Sequence, residues 1–366
     1  MKFDYLKILD YYIIKKYLTT FAFAILIFTM VSVIIDFSDK VEDFIEEPVT
    51  IFQILKQYYL GFMLYMCGML FPMCALIAVI FFTSRMAYNS EIISILNAGV
   101  SFRRLLRPYL VAGTIVAIIH LFGSHFLIPL ASKDRLAFER KYVYKFEDKG
   151  KSDNVHLFIS PDTKIFAKYY GKHDSTIRDL RMEQFANNQL VGVLKARTAK
   201  WINSSSKWRL DDYEIRTFDN LHESLQRFPN QTKDTLIKLS PIDFVKYNKQ
   251  KDALTSAELK ANIKLDKERG AGNSRAYELE VHRRTAEPFT IIILTLIGVS
   301  LAARKVRGGM GLHLAIGVGL GAVYIFLSKF SITFASDPKV PALLGVWIPN
   351  IIFGCIAIYL LSRAQK

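Results

Sequence analysis

Apolar residues gather along this chain into six long runs: 17–35, 57–83, 105–131, 288–303, 310–330 and 343–361. A helix crossing the hydrocarbon core of a bilayer needs about 20 apolar residues, and each run reaches or approaches that length. Six membrane-spanning helices are therefore predicted, with the fourth extending back past Pro288 because a helix tolerates proline in its first turn. Pro72 is expected to bend the second. Between the third and fourth runs the pattern becomes polar. Segments 155–160, 164–170, 176–186, 190–201 and 208–218 are rich in β-branched and aromatic residues and are separated by turn clusters, which predicts strands. From Thr255 the spacing turns helical. Thr255 and Glu258 read as a capping box, and a Gly270-Ala271-Gly272-Asn273 break follows.

Composition sharpens the picture. Of 366 residues 51% are hydrophobic and 22% charged, and the apolar runs carry almost no charge, which rules out an ordinary soluble or disordered chain. The residues before the first run (Phe3, Leu6, Ile8, Leu9, Tyr12 and Ile13 among Lys2, Lys7, Lys15 and Lys16) suit a helix lying along the membrane surface, not a cleaved signal peptide. Lys and Arg of the short loops are biased about thirteen to three toward the side holding both termini. That bias predicts cytoplasmic termini and an external insert. Cys67, Cys74 and Cys355 all fall in apolar runs, so neither a disulfide framework nor a metal site is expected. No cofactor is expected either. The net charge of +15 is not gathered into one aromatic-interleaved patch, which argues against nucleic acid.

Several strings together resemble one family. Ser90-Glu91-Ile92-Ile93-Ser94-Ile95-Leu96-Asn97-Ala98-Gly99-Val100-Ser101, followed by Arg103, Arg104, Arg107 and Pro108, is similar to the cytoplasmic loop of the LptF/LptG (YjgP/YjgQ) permeases. Glu280, His282, Arg284 and Pro288 resemble that family's approach to the fourth span. Arg307-Gly308-Gly309, Trp347-Ile348-Pro349-Asn350 and Leu9-Asp10-Tyr11-Tyr12-Ile13 fit as well. Ser94 stands where the family usually has alanine, and 337–341 lacks a glycine usual before the sixth span.

The resemblance implies a helical membrane protein of 3 + 3 spans with an inserted periplasmic β-jellyroll-like domain. Its expected parts are an N-terminal membrane half at 1–131 with a coupling loop at 84–107, the β domain at 132–254, a helical connector at 255–284 and a C-terminal membrane half at 285–366. It further implies an inner-membrane permease of the ABC transporter that exports lipopolysaccharide. The partners implied are an LptB-type ATPase dimer, a second LptF/LptG-type permease, and LptC-type and LptA-type bridge proteins. The chain has no G-x-x-x-x-G-K-[ST] loop, so nucleotide chemistry is assigned to the ATPase.

Candidate residues follow. Glu91, Ile92, Ile95, Gly99, Ser101 and Arg104 are expected to couple to the ATPase: Glu91 starts a short helix that Gly99 ends, with its apolar residues divided between partner and bundle. Glu91 can instead cap its own helix in solvent. Lys40, Lys133, Arg135 and Lys329 are expected to hold phosphates at headgroup depth, although interfacial cations also anchor helices and Asp36 or Asp39 can pair with Lys40. Gly317 and Gly321 allow close helix approach, either at a lateral gate against the second permease or within this chain. Phe158, Phe166, Leu180 and Val193 are candidates to line the β domain. His282, Arg283 and Arg284 lack metal-ligand spacing and are assigned to the boundary of the fourth span. A membrane enzyme would show a constellation of catalytic spacing, and none is found. A membrane-anchored scaffold or sensor is the alternative, separable by co-purification.

Overall fold

The computed structural model describes residues 8–46, 48–143, 153–171, 174–187, 189–219, 222–244, 250–268, 274–304, 309–337 and 339–364. The Gly270–Asn273 break, Lys305, Arg307 and Gly308, and the first seven residues of the expected surface helix lie outside them. The chain forms two compact units: 1–143 with 252–259 and 278–366, and 144–251 with 260–277.

Among the described residues six helices are long and apolar enough to cross a membrane: α1 (Ile8–Glu46), α2 (Ile51–Tyr88), α4 (Phe102–Val143), α8 (Ser274–Ala302), α9 (Gly309–Phe334) and α10 (Ala342–Arg363). Between α2 and α4 lies the short α3 (Glu91–Asn97). Each predicted span sits inside one of these helices, except that the fourth runs one residue past the end of α8. Two elements differ from expectation. Ile8–Lys16 do not form a separate surface helix but continue α1, because Ile13 and Tyr17 are fully buried in the bundle core beside Ile92, Leu105 and Tyr109. α8 begins at Ser274, so Pro288 sits in its interior and not in its first turn. Residues 132–143, placed in the insert from sequence, lie in α4.

Buried polar pairs tie the helices together at a few points, while other hydroxyls bond carbonyls of their own helix. Tyr17 meets Thr295 at 2.7 Å, and Thr290, Tyr324 and Asn350 converge with mutual distances of 2.6–2.9 Å. Asn350 also donates to the Ala286 carbonyl. A buried polar group must be hydrogen-bonded where water is absent, which gives Asn350 of the Trp-Ile-Pro-Asn string a physical reason.

Among its described residues the second unit carries one six-stranded antiparallel meander in the order β1 (Asp153–Ser160), β2 (Thr163–Gly171), β3 (Thr176–Ala186), β4 (Gln189–Ile202), β5 (Lys207–Asp219) and β6 (His222–Thr235). The sequence reading anticipates five of these strands and misses β6. One face is apolar and centres on fully buried Trp208, whose indole N–H donates to the Leu239 carbonyl. A short helix, α5 (Pro241–Phe244), stacks Phe244 on Tyr170 at 4.2 Å.

A transverse row interrupts the ladders. Bridges skip Asn154–Lys168, Lys168–Asp179, Arg197–Asp179 and Arg197–Asp212, and the β5–β6 register shifts at the same level. Asn154, Asp179, Asp212 and Asn230 there have left-handed backbones with φ between 51° and 58°. Across this row the buried positions fall three apart instead of two: Ala167 and Tyr170, Ile177 and Leu180, Ala196 and Ala199, Leu210 and Tyr213. The apolar side is thereby kept continuous over strands of 8–14 residues. Leu180 lies on it, whereas Phe158, Phe166 and Val193 pair in register with Lys164, Arg181 and Glu183 on the charged side.

The connector helices are α6 (Gln250–Ala253) and α7 (Ser256–Glu268). Thr255 and Glu258 form the expected box: the Thr255 N–H donates to Glu258 Oε2 at 2.7 Å, and the Glu258 N–H donates back to Thr255 Oγ1 at 3.4 Å.

Candidate functional site

At one end of the bundle the α2–α4 loop holds the residues predicted to couple. Ser90 adopts a left-handed backbone (φ 61°) that turns the chain out of α2 into α3. α3 ends where Gly99, at φ 83°, leaves the helical region, as a glycine at that position allows. Ser101 caps α4 by accepting the Arg104 N–H at 3.3 Å. Ile92 is buried in the bundle core, Ile95 and Leu96 are half-buried against it, and Ile93 points outward. The apolar residues of α3 thus divide between an inner and an outer face.

The first turns of α1 reach both ends of this loop. The Tyr12 hydroxyl donates to Glu91 Oε2 at 3.1 Å. The Arg104 guanidinium grips the buried Asp10 carboxylate with two nitrogens, at 2.7 and 2.5 Å. In the sequence Asp10 stands out only as part of the Leu-Asp-Tyr-Tyr-Ile string, and Tyr12 only there and in the expected surface helix.

A second polar cluster joins the C-terminal part of α1 to the start of α2 and the end of α4. Lys40 pairs with Asp36 at 2.8 Å, lies 3.7 Å from Glu139 and is hydrogen-bonded to the Tyr58 hydroxyl. Tyr58 donates to Asp36 at 2.8 Å. Two π-helical turns, Ile54–Tyr59 and Glu139–Val143, hold Tyr58 and Glu139 in this cluster, and such turns recur at functional sites. Lys40 is therefore engaged by two carboxylates.

Arg135 differs. It is 7% exposed and stacks over the Tyr65 ring at 4.3 Å, and among the described residues its Nε has no hydrogen-bond partner and no carboxylate pairs with it. The Ser132 hydroxyl, three residues back on α4, is likewise buried with no partner among the described residues. Lys133 pairs with Glu258 at 2.8 Å, and this contact with the Thr255 cap holds the Glu258 carboxyl far below its ordinary range, at about 2. Lys329 is exposed on α9 among exposed Phe326 and Phe330.

The string before the fourth span is an ionic knot. Arg283 binds Glu280 and Glu287, and Arg284 binds Glu280 at 2.8 Å and the Leu254 carbonyl at 2.8 Å. His120 of α4 contacts the Gly68 carbonyl at 3.1 Å, with Glu287 3.7 Å away. Among the described residues no three His, Cys, Asp or Glu come together as metal ligands would. Gly317 and Gly321 both face α2 of the same chain, against Ile80 and Leu76, while among the described residues nothing lies within 4 Å of the space beyond Gly319.

Comparison with known proteins adds a family. The model described as lipopolysaccharide export system permease LptF/LptG matches residues 11–363. Two curated relatives, the lipopolysaccharide export system permease proteins LptG of Escherichia coli strain K12 and of Escherichia coli O6:H1, are each 25% identical over 180 residues. The aligned part is 48% of this chain and 49% of each relative, so the chain spans about half the length of the curated relatives it matches.

Proposed function

Because the chain belongs to the lipopolysaccharide export permease LptF/LptG family, we propose that it is a permease subunit of the ABC transporter that extracts lipopolysaccharide from the inner membrane. A multi-pass inner-membrane location fits the six apolar helices and the family. In this reading both termini are cytoplasmic and the sheet is periplasmic. A separate LptB-type ATPase dimer hydrolyses ATP beneath α3, a second permease completes the cavity, and LptC-type and LptA-type proteins carry the lipid onward.

The observation that carries this reading is the two-sided α3 within a chain matched over 11–363. Ile92 anchors α3 to the bundle, while Ile93 and the edge bearing Glu91 remain available to a soluble partner. A helix with one apolar face seated and one presented suits groove docking. Motion of that partner then reaches the bundle through Ile92 and its neighbours.

The cargo's physical demands match two further features. Moving each acyl CH₂ into water costs about 0.8 kcal/mol, so a multi-acyl lipid needs an unbroken apolar path. The apolar face of the sheet, held on one side across the left-handed row, is such a path within its unit. Phosphates need cations that are not already neutralised, and Arg135 answers that better than Lys40. Lys133 and Lys329 are further candidates.

Gentle solubilisation of the native complex, with mass spectrometry of its proteins and bound lipid, tests the assignment. An ATPase, a second permease and an acylated phosphoglycolipid are expected. A chain that purifies with bulk phospholipid alone overturns it.

A further inference from the structure

The first turns of α1 touch the coupling segment at both of its ends. Glu91 opens α3 and Arg104 lies just inside α4, so the Tyr12–Glu91 and Asp10–Arg104 contacts bracket all of 91–104. Successive helix positions differ by about 100°, so Asp10 and Tyr12 leave α1 on opposite sides. One grips one end of the segment and one the other. Between them Ile13 and Tyr17 are fully buried in the same apolar cluster as Ile92, Phe102 and Leu105. Arg103 and Arg107 are exposed, whereas Arg104 turns inward to Asp10, which is 1% exposed.

We propose that Asp10 and Tyr12 are positioning residues that strap the coupling segment to α1, so that force applied to α3 by an ATPase is delivered to α1 and through it to the lipid. The inference rests on the permease reading above and goes beyond it by naming the element that receives the motion. A bidentate guanidinium–carboxylate pair fixes orientation as well as distance, which a transmitting joint requires. The Tyr12 hydroxyl additionally orients the Glu91 carboxylate while leaving its other oxygen to Asn89, at 3.4 Å, and to a partner. Outward from the strap, α1 presents exposed Phe23, Leu26, Met30 and Ile34. A rigid rotation or shift of its cytoplasmic end therefore moves a long apolar surface with it.

The test counts ATP hydrolysed and lipid released separately in the assembled, reconstituted complex. Tyr12→Phe and Asp10→Asn are expected to leave the complex assembled and ATP turnover close to that of the unaltered complex, while lipid released per ATP falls about five-fold or more, the lower end of ordinary coupling energies. The swap Asp10→Arg with Arg104→Asp is expected to recover lipid release lost in Asp10→Arg alone. Should the Asp10 variants fail to assemble, Tyr12→Phe, which removes one hydroxyl, decides. Unchanged lipid per ATP in Tyr12→Phe overturns the strap, as does a parallel fall of lipid release and ATP turnover. An unaltered chain that brings down no ATPase overturns the permease reading instead, so the two failures are distinct.

Discussion

Gly317 of α9 packs so closely on Ile80 of α2 that a Cβ at Gly317 would overlap the Ile80 Cδ1 methyl. Four residues on, a Cβ at Gly321 would meet Leu76 at an ordinary 3.5 Å. Small residues let helices approach where no hydrophobic drive separates lipid from protein. Gly317→Leu should lower the stability of the solubilised chain by about 1–3 kcal/mol, the usual cost of overpacking. Gly319→Leu, whose neighbourhood is open, should leave it unchanged. Thermal unfolding in detergent compares the two, and Ile80→Ala should relieve much of the Gly317→Leu defect.

Lys40 and Arg135 should separate by what each loses. Lys40→Met strands Asp36 and Glu139 together, so the chain should lose about 3–5 kcal/mol, as buried pairs do when one partner goes. Adding Asp36→Asn should return part of it. Arg135→Gln removes a buried cation without a paired carboxylate and should hold or raise the thermal midpoint. The same variant should carry less phosphorylated lipid through purification, read by mass spectrometry.

The two faces of α3 should respond differently to charge. Ile92→Asp places a carboxylate in the bundle core and should abolish recovery of folded chain from the membrane. Ile93→Asp should leave membrane insertion and thermal stability intact while ATPase co-purification drops. Equal loss of folded chain in both would contradict the division of α3 between bundle and partner.

Acid should loosen the start of α7. Glu258 has its folded pKa depressed from 4.5 to about 2, chiefly by Lys133. Its stabilising share is present above pH 4.5 and fades as pH falls toward 2. Both side chains are 42% exposed, so the effect should stay below about 1 kcal/mol. Amide protection factors over 256–268, with the intrinsic pH dependence of exchange divided out, should fall as pH drops through that window in the unaltered chain and show no such step in Glu258→Gln.

How much of this was visible in the residues depends on range. The six spans were legible because each apolar run needs no neighbour to declare itself. The α3 boundaries and the Thr255 cap were legible because capping chemistry is local. β6 was not: His222–Thr235 is polar, largely exposed and carries Pro229, so no period-two apolar signal marks it. An edge strand tolerates that composition. The lining of the sheet was not legible because side chains alternate between faces and the strand register is not written in any one strand: Leu180 lies on the apolar side, Phe158, Phe166 and Val193 on the charged one. Over the described part of the surface helix expected at the amino terminus, residues 8–16 continue α1 instead, because Ile13 looks amphipathic locally but is buried in the bundle core. Asp10 with Arg104, 94 residues apart, and Lys40 with Glu139 require knowledge of which helices stand side by side.

The row of left-handed residues has one more effect, on how the strands find their alignment. Asn and Asp accept that backbone more readily than other side chains with a Cβ. If β3 slid by one position, Arg178 or Leu180 would have to adopt it, and in β5 a slip that brings Tyr213 to the row would carry the same burden, whereas Asp211 would tolerate it. Misthreaded pairings thus carry a conformational penalty in several strands at once. A meander whose polar sixth strand contributes little apolar guidance is kept in step by four short side chains that can turn the other way.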